Sequence, residues 1–174
     1  MPPSDPERPQ PAGRRRVVVS DAGPLISLGR LDLLPLLGEL FAEAQVPDIV
    51  MEECLARPDN LDAQRIRQAQ TAGLLLVCHA PPTLLAGLQP GESAAITRAL
   101  EIGAALLMDE RAGRAHALTL GLTVTGTVGV LVRARRGGLI GPLAPLLAAL
   151  RASGQRLSDA LARQALFEVG EAAD

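Results

Sequence analysis

Short, unbroken apolar runs alternate with longer amphipathic stretches along nearly the whole chain. The first run, residues 16–20, is β-branched and stops at Asp21-Ala-Gly-Pro24. A buried parallel strand has that form: four to eight apolar residues, then turn residues. Further runs at 44–46, 74–78, 104–108 and 122–125 predict four more strands. Between them the apolar positions recur at helical spacing. Helices are predicted at 25–30 and 33–41, broken near Asp32 and Pro35, from Pro47 to about Arg57, and over 61–72, 92–102 and 110–120. Three more follow from Thr127 to Arg136, over 142–152, and from Ser158 to about Val169. Pro47 suits a first helical turn, Asn60 and Ser158 suit N-caps, and Gly73, Gly103 and Gly121 suit helix stops.

Strands that alternate with helices define an α/β protein with a mainly parallel sheet, about five strands wide and covered on both faces. No segment of 20–50 residues recurs, which excludes a solenoid. Residues 1–15, rich in Pro and Arg, offer nothing to bury and read as a disordered tail. The domain is expected over 16–170, with 138–170 forming its carboxyl-terminal helices.

Composition narrows the chemistry. A chain of 174 residues allows one domain, and 48% hydrophobic content is ample for a core. Phe41 and Phe167 are the whole aromatic inventory, which argues against modules that stack bases on an aromatic platform. All 17 basic residues are arginine. The absence of lysine excludes a Walker A loop and a Schiff-base enzyme. The formal net charge of −2 shows no strongly cationic coat. Cys54 and Cys78 stand far apart without partners at zinc-type spacing, so reduced core thiols and a cytoplasmic location are expected. No apolar run reaches the roughly 18–20 residues needed to cross a bilayer, and the amino terminus lacks a signal-peptide pattern.

The acids fall at suggestive places. Asp21 ends the first strand and Asp109 the fourth; Glu53 lies on the helix after the second strand. Glu92 sits in the first turn of the helix leading into the fourth. In an open parallel sheet the carboxyl ends of the strands collect functional groups. Two carboxylates about 5 Å apart at an effective dielectric of about 20 repel by roughly 3 kcal/mol. With no lysine to hand, a hard divalent cation, Mg²⁺ or Mn²⁺, neutralises such a set most simply. Three of the acids also have a plain alternative: a turn residue for Asp21, a solvated helix face for Glu53, and a helix N-terminus for Glu92.

The segment Val17-Val-Val-Ser-Asp-Ala-Gly-Pro-Leu-Ile26 resembles the opening motif of PIN domains. Val46-Pro-Asp-Ile-Val-Met-Glu-Glu-Cys54, Gly91-Glu-Ser-Ala-Ala95, Leu106-Leu-Met-Asp-Glu-Arg111 and Val124-Thr-Gly-Thr-Val-Gly-Val130 continue the likeness in order. Together they cover about residues 16–169, similar to an uncharacterised prokaryotic branch near the VapC-type toxins. The resemblance implies a three-layer α/β/α fold and a Mg²⁺- or Mn²⁺-dependent ribonuclease, the toxin of a toxin–antitoxin pair. It assigns Asp21, Glu53, Glu92 and Asp109 to catalysis and metal binding, with Thr125 supporting the water network. Glu92 departs from the family's usual Asp. RNA, an antitoxin protein and a second copy of the chain are the implied partners.

The basic residues Arg133, Arg135 and Arg136 are candidate phosphate contacts. Leu143, Leu146, Leu147 and Leu150 form an apolar stripe that must be covered, by the core or by a second copy. Glu110 reads as surface, and His79 and His116 as structural. The rival function is a non-catalytic PIN-like module that binds RNA or protein, suggested by the departure at Glu92.

Overall fold

Val18 and Val19 are neighbours, both fully buried, and belong to opposite faces of one sheet. Leu106 and Leu107 divide in the same way. Successive side chains of a strand point to opposite faces, so a run buried on both sides requires a layer of helices above and below. The computed structural model, which describes residues 16–81 and 83–172, has that build. The predicted tail, 1–15, lies outside the described residues.

Five parallel strands, β1 (Val17–Ser20), β2 (Glu43–Pro47), β3 (Leu75–Cys78), β4 (Ala105–Leu107) and β5 (Val124–Thr125), are ordered β3-β2-β1-β4-β5. One face is covered by α5 (Pro90–Ile102) and α6 (Arg111–Thr119), through Ala95, Ile96, Ala99 and Ala117. The other carries the larger core. There α1 (Ala22–Arg30), α2 (Leu36–Leu40), α3 (Asp48–Leu55) and α4 (Leu61–Thr71) pack with α7 (Thr127–Arg136), α8 (Leu143–Ala152) and α9 (Asp159–Glu168). The expected three-layer α/β/α class is what the chain forms.

Element boundaries moved where end groups decide them. The helix expected over 33–41 is only Leu36–Leu40, because Asp32 takes a left-handed conformation (φ 60°) and Pro35 stands just ahead of it. The fifth strand shrinks from four residues to Val124–Thr125. Ser158 does cap α9, its hydroxyl accepting from Leu161 N at 3.2 Å, whereas the Asn60 side chain makes no cap bond to α4. Glu110 is exposed, as expected, and is also the N-cap of α6, accepting from Ala112 N and Gly113 N.

The leucine stripe is spent on the chain's own core. Leu143, Leu147 and Leu150 are buried there, and Leu146 packs partly against it. Glu171, one residue past the expected end of the domain, fastens this region. Its carboxylate accepts from Leu143 N and Ala144 N at the start of α8 and pairs with Arg135 at 2.9 Å. Those backbone N–H groups, joined by the guanidinium, hold its carboxyl below the usual range.

Candidate active site

The strand order reverses between β1 and β4: the chain runs from β1 outward to β2 and β3, then returns to lay β4 on the other side. Open α/β sheets bind ligands at such a switch point, beyond the carboxyl ends of the strands. Asp21 follows β1 directly, and Asp109 stands two residues beyond the end of β4. Ser20 is in register with Leu107, and Asp21 N donates to Leu107 O at 2.9 Å, so the two acids leave the sheet side by side.

Asp21 is the N-cap residue of α1 and is only 7% exposed. Burial raises its carboxyl pKa from 3.8 to about 7. The Ala22 N–H opposes that shift, while the charges of Glu92, Glu53 and Asp109 add to it. All three other predicted acids therefore act on Asp21. Among the described residues no basic side chain forms an ion pair with it.

Glu53 projects from α3 toward the start of α5. Its pKa is raised by partial burial and by Glu92, against a lowering contact with the Gly91 N–H. Gly91 is the condition for this approach: a Cβ there would lie 2.6 Å from Glu53 Oε1. Both Glu53 and Glu52, one position earlier on α3, are exposed, and it is the contact with Gly91 that sets Glu53 apart. Glu92 is half-buried, and its Oε2 accepts from Gln89 N at 2.9 Å, closing the first turn of α5. The plain reading of Glu92 as a helix-end residue is thus realised in the same side chain that charges the site.

Asp109 is held most firmly. Its Oδ1 accepts from Thr127 N at 2.7 Å; its Oδ2 accepts from Thr127 Oγ1 at 2.6 Å and Gln155 Nε2 at 3.0 Å. Thr127 is fully buried at the first position of α7, where backbone N–H groups lack partners within the helix. Thr125, predicted to support the site, lines the groove beside Asp109. Its carbonyl accepts from Met108 N within the sheet, and the hydroxyl on Asp109 is Thr127's. The strand ends at Thr125, and two residues more are needed for the chain to turn α7 toward the acid. Thr127 lies in the same motif, Val124 to Val130, where position alone does not set it apart from Thr125. Gln155 carried no local signal, since 46 residues separate it from Asp109.

The basic residues divide differently from expectation. Arg133 donates to Leu40 O at 3.0 Å and stacks on Phe41, and Arg135 pairs with Glu171. Arg136 lines a shallow groove between α7 and α9 with Arg133. The arginines near Asp109 are instead Arg111, Arg114 and Arg156, which share a groove with it. Arg114 also donates to Met108 O at 2.7 Å. His79 pairs with Asp48 at 2.8 Å, away from the four acids. Cys54 is buried and its thiol pushed up to about 12, and neither it nor Cys78 is bonded to another cysteine.

In kind, the four carboxylates suit a hard divalent cation, and burial first, then the charge of the other three, raises Asp21. The expected ready-made cluster is not there. Among the described residues no group of three or more His, Cys, Asp or Glu is placed to hold a metal ion. The reason lies in the bonds just described: Glu53 lies against Gly91, Glu92 closes its helix, and Asp109 serves Thr127 and Gln155.

An α/β sheet with an acidic switch point defines a broad class of hydrolases and binding domains. Within it, a family model described as a PIN domain matches residues 17–171, and the chain belongs to that family. Its members are generally nucleases that use divalent metal ions. Among solved structures the chain is similar to a PilT N-terminus domain protein from the hyperthermophilic archaeon Sulfolobus solfataricus P2. The two share 16% identity over 82% of this chain and 97% of that one, with a TM-score of 0.46. No curated protein matches the chain significantly. Among the described residues no helix is long and apolar enough to cross a membrane.

Proposed function

We propose that this PIN domain is a metal-dependent ribonuclease in which Asp21, Glu53, Glu92 and Asp109 form one acidic centre. The observation that carries the reading is Asp21, buried beyond β1 under the charge of the other three acids and, among the described residues, without a basic partner. A carboxylate so placed is costly unless a cation joins it. The four acids would hold Mg²⁺ or Mn²⁺. Such an ion, when bound, lowers the pKa of a water and neutralises charge on the leaving oxygen of a phosphodiester.

The chain's own groups supply the rest. Thr127 fixes the Asp109 carboxylate, and the burial of Asp21 limits water around it. Arg111, Arg114 and Arg156, in the groove at Asp109, suit the phosphates of a polyanion. Cleavage would leave a 5′-phosphate and a 3′-hydroxyl. A toxin role fits this activity and would add a cognate antitoxin.

A second reading has its own observation. Glu53, Glu92 and Asp109 all have partners within the chain, as suits a domain that binds RNA or protein without cutting it.

Incubation of end-labelled RNAs with the purified protein, in Mn²⁺, Mg²⁺ or chelator, separates the two. Metal-dependent cleavage that Asp21→Asn abolishes supports the nuclease. RNA binding without cleavage in any of these conditions favours the second reading.

A further inference from the structure

Gln155 lies in the connection between α8 and α9, and its position is fixed from both directions along the backbone. Gly154 takes a left-handed conformation (φ 91°) just past α8. Its N–H donates to Arg151 O at 3.0 Å, and Gln155 N donates to Leu150 O at 3.2 Å. That pair of bonds is a Schellman motif, which turns the chain sharply and satisfies the last carbonyls of a helix. The connection is also tied to the end of α1, where Arg30 Nη1 donates to Ser153 O at 2.9 Å. The backbone of Gln155 is therefore anchored before its side chain makes any contact.

The side chain then bridges two elements. Ser27, 6% exposed and one turn before Arg30 on α1, donates its hydroxyl to Gln155 Oε1. An ionised carboxylate only accepts, so the amide nitrogen faces Asp109 and the amide oxygen is left to accept from Ser27, whose hydroxyl can donate or accept. The amide nitrogen donates to Asp109 Oδ2 at 3.0 Å. With Thr127 Oγ1 on the same atom, Oδ2 has two donors, whereas among the described residues Oδ1 accepts from Thr127 N alone. One acceptor position is left, on Oδ1. Gly126 stands at that side, where a Cβ would lie 2.8 Å from Oδ1.

We infer that Gln155 is a positioning residue for the acidic centre: its amide, seated by the Schellman turn and by Ser27, holds Asp109 so that Oδ1 presents the open lone pair. The inference rests on the reading of Asp109 as a member of that centre. It gives the carboxyl-terminal helices a part in the site, through a residue that touches no substrate.

Two measurements test it. The first needs no metal. A double-mutant cycle of Gln155→Ala and Asp109→Ala, followed by thermal unfolding in chelator, should be non-additive by about 3 °C or more. An additive cycle overturns the inference. The second is calorimetric titration with Mn²⁺. Gln155→Leu should weaken binding about tenfold or more, as loss of a group that orients a metal ligand does. Gln155→Glu keeps the side chain's length and the acceptor for Ser27 but repels Asp109. It should lose stability in chelator as Gln155→Leu does, whereas Ser27→Ala should leave Mn²⁺ affinity within about threefold, the amide–Asp109 bond being kept. If Gln155 only fastens α8 to α1, Ser27→Ala and Gln155→Leu lower the melting temperature alike with Mn²⁺ affinity unchanged, and the positioning role falls. A wild type that neither binds Mn²⁺ nor cuts RNA defeats the proposed function instead. The cycle in chelator still decides whether Gln155 holds Asp109.

Discussion

Burial and like charge both oppose ionisation of Asp21, and the cost appears in how stability depends on pH. Its carboxyl titrates near 7 in the folded chain against 3.8 as the ordinary value. Well below 3.8 the group is protonated in both states, and at pH 4 the unfolded chain has only begun to gain from ionising it. As pH rises the unfolded chain ionises first, so the favourable contribution of this raised group falls away through its folded pKa and is gone above it. Without divalent ions, Asp21→Asn should match the wild type near pH 4. Near pH 8 it should be more stable, by up to about 4 kcal/mol if the shift from 3.8 to about 7 is fully relieved. Urea unfolding of both proteins at the two pH values measures the difference. Equal stability at pH 8 would mean that Asp21 carries no such burden.

Two threonines separate motif matching from geometry at the same scale. Thr127→Val keeps the shape and removes the hydroxyl on Asp109, which should cost about 1–3 kcal/mol. Thr125→Val leaves the backbone bond from Met108 N untouched and should stay within about 0.5 kcal/mol. Equilibrium unfolding compares the pair directly, and the reverse order would restore Thr125 to the supporting role.

Among the elements, the contact between α3 and α5 decides where Glu53 can be. Alanine for glycine inside a helix ordinarily stabilises by about 0.4–1 kcal/mol. At Gly91 the new methyl would displace the Glu53 carboxylate, the far end of a flexible side chain. Gly91→Ala should therefore leave stability within about 1 kcal/mol while weakening Mn²⁺ binding, a separation that melts and titration together resolve. Unchanged affinity would remove Glu53 from the centre.

Elements were legible in the sequence where one local signal governed them. The run at Val17–Ser20 needed only β-branched residues and the turn after it, and Asp21 and Asp109 followed from the strand ends they mark. The helix expected over 33–41 begins only at Leu36, after Pro35, one of the two breaks the sequence marks; the other, Asp32, is left-handed. Arg133 to Arg136 read as a charge run, but two members meet groups 93 and 36 residues away. Gln155 was out of reach for the same reason: both of its side-chain partners, Ser27 and Asp109, are distant in sequence. Periodicity also left the partner of the leucine stripe open, and that partner is the larger core layer.

At the scale of the molecule, the helices after β5 do more than cover a sheet. Glu171 fastens α8 to α7, and the turn after α8 brings Gln155 onto Asp109. The larger core layer and the acidic switch point are therefore parts of one construction, in which burial concentrates carboxylates that a cation would relieve. Thermal unfolding at pH 8 with and without Mn²⁺ tests that claim most directly. At about 100 times its dissociation constant, an ion that binds only the folded chain adds roughly 2.7 kcal/mol of stability. The account predicts a gain of that order for the wild type, a much smaller gain near pH 4, where protons compete for the carboxylates, and none for Asp21→Asn. A wild type whose unfolding at pH 8 is indifferent to Mn²⁺ and Mg²⁺ would contradict it.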